Sequence, residues 1–170
     1  MISRLGPADF NAILNVVNDA AEVYRGVIPE DRWKEPYMPA EELSEEIENG
    51  VEFHGWKEDG VLVGVMGIQP VNDVTLIRHA YVLTSRQRRG IGEKLLMHLL
   101  SMARTSEVLV GTWEAASSAV RFYEKHGFRL VSKEEKNRLL RKFWSIPQRQ
   151  VETSVVLIDE RYQRGLSGSG

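Results

Sequence analysis

Residues 86–92, Arg-Gln-Arg-Arg-Gly-Ile-Gly, join a stretch that reads as a strand to one that reads as a helix, and this junction constrains the fold more than any other part of the chain. Upstream, Leu76 to Leu83 is largely apolar and bounded like a strand. Downstream, Ile91, Leu95, Leu96, Leu99 and Met102 recur at helical spacing. A helix N-terminus presents unpaired N–H groups and the positive end of the peptide dipole, so it attracts anions. Gly90 and Gly92 remove the Cβ atoms that would keep a ligand off that backbone. Arg86, Arg88 and Arg89 add a cationic rim suited to phosphate. The segment reads as a pyrophosphate cradle, although a Gly-x-Gly before a helix also serves as a plain tight turn. It has no Gly-Lys-Ser/Thr ending, which excludes the nucleoside-triphosphate P-loop. Leu95 stands where the third glycine of a dinucleotide fingerprint would fall.

A chain of 170 residues fits one compact domain with a sizeable core, expected over residues 1–162. The net charge of −2 gives no overall attraction to nucleic acid or to an anionic membrane surface, so neither is an expected partner. With no cysteine there is no disulfide, no cysteine-ligated metal and no thiol nucleophile, and no metal site is expected. No signal-like N-terminus or bilayer-length apolar run is visible, so a cytoplasmic setting is the expectation. Residues 163–170 read as a flexible polar tail.

Along the chain, Met1–Leu5 reads as a short strand, and Pro7 opens a helix with an apolar stripe of Phe10, Ile13, Leu14, Val17, Ala21 and Tyr24. A loop rich in Trp33, Pro36 and Tyr37 follows, then a second helix from Pro39 that Gly50 closes. Val51–Lys57 and Val61–Pro70 flank Asp59-Gly60, a strong hairpin signal. After the strand at Val74–Leu83 and the helix to Arg104 come a strand at Glu107–Trp113, a helix at Ser117–Lys125 and a strand at Phe128–Val131. Ser132 and Glu135 form a capping box for a helical insertion, Lys133–Trp144, with Lys136, Arg138, Arg141 and Lys142 expected outside and Phe143 and Trp144 inside. Val151–Ile158 reads as a last strand, apolar on both faces, whose exposed edge would suit a homodimer. The order describes an α/β fold with a mixed, mostly antiparallel central sheet and helices on both faces.

With this element order, two motifs make the chain resemble the GNAT superfamily of acyl-CoA-dependent N-acetyltransferases. Gln87-Arg88-Arg89-Gly90-Ile91-Gly92 matches the family's Gln/Arg-x-x-Gly-x-Gly/Ala turn, and Ala119, Tyr123, Gly127 and Phe128 match a later pattern of the family. The resemblance runs from about Ile2 to Ile158. It implies a splayed sheet and acetyl-CoA as co-substrate, with no metal. The diphosphate would rest on the turn formed by Gln87, Arg88, Arg89, Gly90, Ile91, Gly92 and Glu93. The pantetheine arm would pair with the main chain of Tyr81, Val82 and Leu83, and the thioester would lie in a slot between the strands ending near Leu83 and Trp113.

The chemistry so implied is direct attack of a neutral amine on the acetyl carbonyl, without an acyl-enzyme. Tyr123 is the candidate acid for the departing thiolate and a cofactor contact; its competing role is packing against Phe122 and Phe128. Leu76 and Arg78 occupy strand positions where many relatives place a carboxylate or histidine, which leaves Glu114 and His79 as candidate bases, or ordered water alone. Strict alternation would turn His79 to the sheet face opposite Arg78 unless a bulge intervenes. Ala116 stands where relatives often carry asparagine, and Ser117 and Ser118 are candidate substitutes that hold the cofactor; Ser117 equally suits a cap. Trp33, Tyr37, Trp56, Arg78 and Trp113 are the candidate acceptor contacts, with His54 on the same strand face as Trp56. The basic insertion hints at an acceptor bearing a carboxylate. A non-catalytic acyl-CoA-binding module is the alternative from another class.

Overall fold

The computed structural model describes residues 1–160, so the expected 163–170 tail lies outside the described residues. The elements are β1 (Ile2–Arg4), α1 (Phe10–Ala20), α2 (Ala40–Glu48), β2 (Glu52–Glu58), β3 (Val61–Val71), β4 (Val74–Val82), α3 (Ile91–Met102), β5 (Glu107–Trp113), α4 (Ser117–Lys125), β6 (Arg129–Leu130), α5 (Lys133–Phe143), α6 (Gln148–Glu152) and β7 (Ser154–Glu160). The strands follow the hydrogen-bonded order β1-β2-β3-β4-β5-β7-β6. The chain packs as two compact units, one of Met1–Arg25, Trp33–Gln69 and Ile77–Met102, the other of Gly26–Arg32, Pro70–Leu76 and residues from Ala103 onward.

In the first unit, β1 and β2 run antiparallel, as do β2 and β3. The Asp59-Gly60 turn joins β2 to β3 with φ of +50° and +79°, the two left-handed conformations of a type I′ hairpin. On α1, Ile13, Val16, Val17 and Ala20 are buried, one helical stripe facing a core of Leu5, Met38, Leu43, Val51, Phe53, Leu62 and Val65. Phe53 enters that core, whereas its neighbour His54 pairs with His98 on α3. Period-two alternation along β2 therefore sets α1 and α2 on one face and α3 on the other. Gly50, at φ +101°, ends α2 as expected.

In the second unit, β7 pairs antiparallel with both β5 and β6 around a core that includes Leu109, Leu139, Leu140, Phe143, Val151, Val156 and Ile158. That pairing corrects the expected exposed edge on the last strand. Two-residue β6 pairs with β7 at Leu157 and Ile158 and covers that edge there, which weakens the edge argument for a homodimer. The last strand also begins later than expected, because residues 148–152 form α6 and Val151 is a buried helical residue. Ser132 caps α5 by accepting from the Glu135 N–H at 3.2 Å, but the Glu135 carboxylate takes Arg138 instead of the cap, so only half of the expected capping box is seen. Lys136, expected outside, is buried. Its Nζ donates to the Val151 carbonyl at 2.7 Å, and burial lowers the ammonium's pKa. The acceptor that α6 supplies draws this one lysine inward, whereas Arg138 and Arg141 remain on the surface.

Candidate functional site

β4 ends on a main-chain hydrogen bond, Leu83 N–H to the Val63 carbonyl at 2.9 Å. The chain then turns through one 3-10 turn, Thr84–Arg86, and Thr84 is tied to Asp19 through its N–H at 2.9 Å. The exposed Gln87 side chain reaches back to the Val82 carbonyl at 3.1 Å and ties the turn to the end of β4. Arg88 at φ +65° and Gly90 at φ +79° both take the left-handed conformation. Left-handed residues in a turn of this kind are compatible with main-chain N–H groups facing an anion. The first helical hydrogen bond of α3 is Lys94 N–H to Gly90 O at 3.1 Å. The N–H groups of Ile91, Gly92 and Glu93 therefore precede the helical ladder, at the positive end of the dipole. A Cβ on Gly90 would meet no atom within 4 Å, so the turn is open there. Arg88 and Arg89 are exposed beside it, whereas Arg86 is drawn off to Glu58 at 3.3 Å.

Tyr81 opens a row of rings on the α1–α2 side of the first unit. Its ring lies 6.4 Å from Tyr24, Tyr24 lies 5.7 Å from Tyr37, and Tyr37 stacks on Trp33 at 5.8 Å. Asn18 of α1 fastens this loop by donating to the Met38 carbonyl at 3.0 Å and accepting from the Met38 N–H at 2.8 Å. The Arg25 guanidinium covers the Trp33 ring at 4.9 Å and pairs with Glu22 and Glu35. Trp33 and Tyr37 are thus brought together, and Tyr24 joins them. The sequence offered Tyr24 only as part of a helical stripe. Trp56 is placed elsewhere, beneath Lys94 of α3 at 4.7 Å. His54 is buried between Glu52, at 2.8 Å, and His98, at 3.3 Å.

Arg78 and His79 fall together on one carboxylate. Glu46 Oε2 lies 2.8 Å from Arg78 Nη1 and 3.2 Å from His79 Nε2. Consecutive strand residues ordinarily face opposite ways, so the alternation expected for His79 does not hold here. The reason is local, since His79 has φ +55°, and the strand changes sense at that residue. Burial opposes ionisation of Glu46, but the His79 hydrogen bond and the charges of His79 and Arg78 outweigh it and hold the carboxyl below its ordinary value. Arg78 also donates to Gln69 Oε1 at 3.3 Å. Sequence reasoning missed Glu46 because α2 carries Glu41, Glu42, Glu45, Glu46 and Glu48, and nothing in the spelling separates one from another.

In the second unit, Tyr123 is buried on α4, with Phe122 at 5.1 Å and Phe128 at 5.5 Å around its ring. Trp113 is buried at the end of β5. Glu114 is exposed just beyond it, its N–H bound to the Thr153 carbonyl at 2.9 Å. The α4 N-cap is Ala116, with no side-chain cap, and Ser117 and Ser118 are exposed on the first turn. Among the described residues no group of three or more His, Asp or Glu could hold a metal ion, and no helix is long and apolar enough to cross a membrane.

A family model described as an acetyltransferase (GNAT) domain matches residues 17–142. The chain belongs to the GNAT acetyltransferases. The matched stretch contains the β4–α3 turn and the α4 motif. Solved structures agree in fold. A PaiA N-acetyltransferase from Thermoplasma acidophilum, in complex with coenzyme A, has a TM-score of 0.72 at 18% identity, covering 94% of this chain and 98% of that one. A GNAT-family acetyltransferase from Staphylococcus aureus Mu50 gives 0.72 at 15%, covering 95% and 98%. A ribosomal-protein-alanine N-acetyltransferase from Brucella melitensis gives 0.63 at 18%, covering 93% and 96%. At these identities the structures speak for the GNAT fold, with its seven strands and six helices, and leave the acceptor to be argued from this chain's own residues.

Proposed function

We propose that this GNAT acetyltransferase transfers the acetyl group of acetyl-CoA to a primary amine by direct attack. The observation that carries the reading is the turn at residues 87–93, where left-handed Arg88 and Gly90 lead into the N-terminus of α3 and the space beside Gly90 is open. A diphosphate bound there is neutralised by main-chain donors and by Arg88 and Arg89. The coenzyme A complex of the Thermoplasma acidophilum protein supports the same assignment.

The chemistry divides among residues of this chain. Leu83 N–H is committed to Val63, so alternation directs the Val82 N–H to the other edge of β4. There it is the donor assigned to the thioester carbonyl, which gains negative charge as the amine attacks. His79 is the preferred base. A carboxylate on its Nε2 leaves Nδ1 to take the proton of the incoming ammonium. Exposed Glu114, on the loop just beyond β5, is the weaker candidate. The N–C bond forms, the C–S bond breaks, and Tyr123 donates its phenolic proton to the coenzyme A thiolate; the second proton that the nitrogen loses as the amide forms returns to the phenolate, directly or through water. A phenol, with a pKa of about 10, gives up a proton to a thiolate of about 8.5 only once the thiolate has fully developed in a dry site. The burial of Tyr123 supports this role.

For the acceptor, the row from Trp33 to Tyr81 leads to the strand end where the acetyl group is assigned, and its rings offer flat surfaces to a small amine. Incubating the protein with acetyl-CoA and a panel of amines, amino acids and peptides, with free thiol and product mass as readouts, tests the function. Thiol release that depends on one amine, with a matching acetylated product, is the expected result. Tight acetyl-CoA binding with no thiol release for any amine overturns it in favour of a binding module.

A further inference from the structure

His79 is a strained residue in an otherwise extended strand. A left-handed φ of +55° costs a side-chain-bearing residue energy that the surroundings must recover, and such outliers gather where geometry is held for a purpose. Its effect on β4 is readable from burial partners. Upstream of the irregularity, Arg78 points to Glu46. Downstream, Tyr81 and Leu83 pack against the core that contains Leu43 of α2 and Ile13 of α1. Positions 78, 79, 81 and 83 thus share one side of the strand, which strict alternation forbids. The parity of β4 is reset between residues 78 and 79.

Three groups hold the reset. Glu46 takes Arg78 and His79 on a single oxygen. Phe53 stacks on the His79 ring at 5.8 Å. Gly67 on β3 gives the displaced backbone room, since a Cβ there would stand 3.0 Å from the Arg78 carbonyl oxygen. Gln69 completes the tie by accepting from Arg78 and donating to the Asn49 carbonyl at 2.8 Å, which links β4 to the end of α2.

We propose that Glu46 is a positioning residue for acetyl transfer: by anchoring Arg78 and His79 on one carboxylate it fixes the parity of β4, and so the direction of the Val82 N–H and the face presented by Tyr81. Without the anchor, β4 is free to relax toward regular alternation. That relaxation turns Tyr81 off the aromatic row and swings the Val82 N–H away from the carbonyl it polarises. The effect falls on the transition state more than on cofactor binding, because the cradle at residues 87–93 is braced separately by Gln87, Asp19 and α3. This inference rests on the proposed transfer reaction for its kinetic consequence, and on the strand geometry alone for its structural one.

The test compares wild type with Glu46→Gln, which keeps the shape and removes the charge, and Glu46→Asp, which keeps the charge and shortens the reach. Amide NMR spectra without ligand come first, and displacement of the Val82 and Tyr81 signals in both variants, with Ile91–Glu93 in place, is expected. Kinetics follow with the best amine from the panel. The expected result is a kcat lowered roughly tenfold to a hundredfold, the scale of a misplaced reacting group, with KM for acetyl-CoA within about twofold. A purely structural role gives the opposite split, with kcat and KM changing together in step with lost thermal stability, and it overturns the proposal. Unmoved Val82 and Tyr81 signals overturn it equally. If the wild type turns over no amine, the transfer reaction fails, while the ligand-free spectra still decide the role of Glu46.

Discussion

Gly90 and Gly60 share a φ of +79°, and neither would place a Cβ within 4 Å of another atom, yet only Gly90 lies in the turn proposed to hold the diphosphate. The pair separates the backbone cost of a side chain from its effect on a ligand. Leucine at either position must adopt the left-handed conformation, which costs roughly 1–2 kcal/mol. For a domain of this size that corresponds to a melting temperature lower by about 2–8 °C, at roughly 2–4 °C per kcal/mol. A stability of about 5–15 kcal/mol absorbs the loss, so both variants are expected to fold. Their affinities diverge. A leucine on residue 90 fills the space beside the turn and separates the diphosphate from at least two main-chain donors. Hydrogen bonds to a charged group contribute about 1.5–3 kcal/mol each. Two of them sum to about 3–6 kcal/mol, a loss of roughly a hundredfold to ten-thousandfold in acetyl-CoA affinity at ~1.4 kcal/mol per decade. Calorimetric titration with acetyl-CoA, paired with thermal melts, reads both quantities. Gly60→Leu is expected to bind like wild type. Equal affinities for the two variants, with equal melts, refute the cradle.

Tyr123→Phe keeps the ring packing against Phe122 and Phe128 and is expected to lower kcat roughly a hundredfold or more, the range for a lost general acid, with acetyl-CoA affinity near wild type. Trp33→Ala breaks the stack with Tyr37 and is expected to raise the acceptor KM severalfold while leaving KM for acetyl-CoA unchanged in steady-state kinetics. The lowered pKa of Glu46 contributes stability that is present above the unfolded carboxyl value of 4.5 and is lost as pH falls through the folded one. Urea titrations from pH 6 to pH 3 are expected to show a shallower fall for Glu46→Gln than for wild type. The pKa of His98 lies below its ordinary 6.5, through desolvation and the charge of His54, so the unfolded chain binds its proton more readily. Stability is expected to decline as pH drops below 6.5, and His98→Gln is expected to flatten that decline in the same titrations.

Local rules were enough for much of the architecture. The Asp59-Gly60 hairpin, the Gly50 stop of α2, the Ser132 cap of α5 and the strand–turn–helix at residues 82–93 each depend on residues only a few positions apart. The departures share a different origin. Lys136 lies inward because α6 brings it a carbonyl, β7 lies inside the sheet because short β6 covers it, and Glu46 differs from four other glutamates on its helix because of what faces it.

By itself, the sequence determined most of the elements and the strand–turn–helix junction at residues 82–93, because backbone conformation answers to neighbours along the chain. The tertiary structure alone decided that Arg78 and His79 converge on Glu46 and that four rings line up from Trp33 to Tyr81. Those arrangements join residues tens of positions apart. Their partners, and the strain accepted at His79, exist only once packing has brought the segments together.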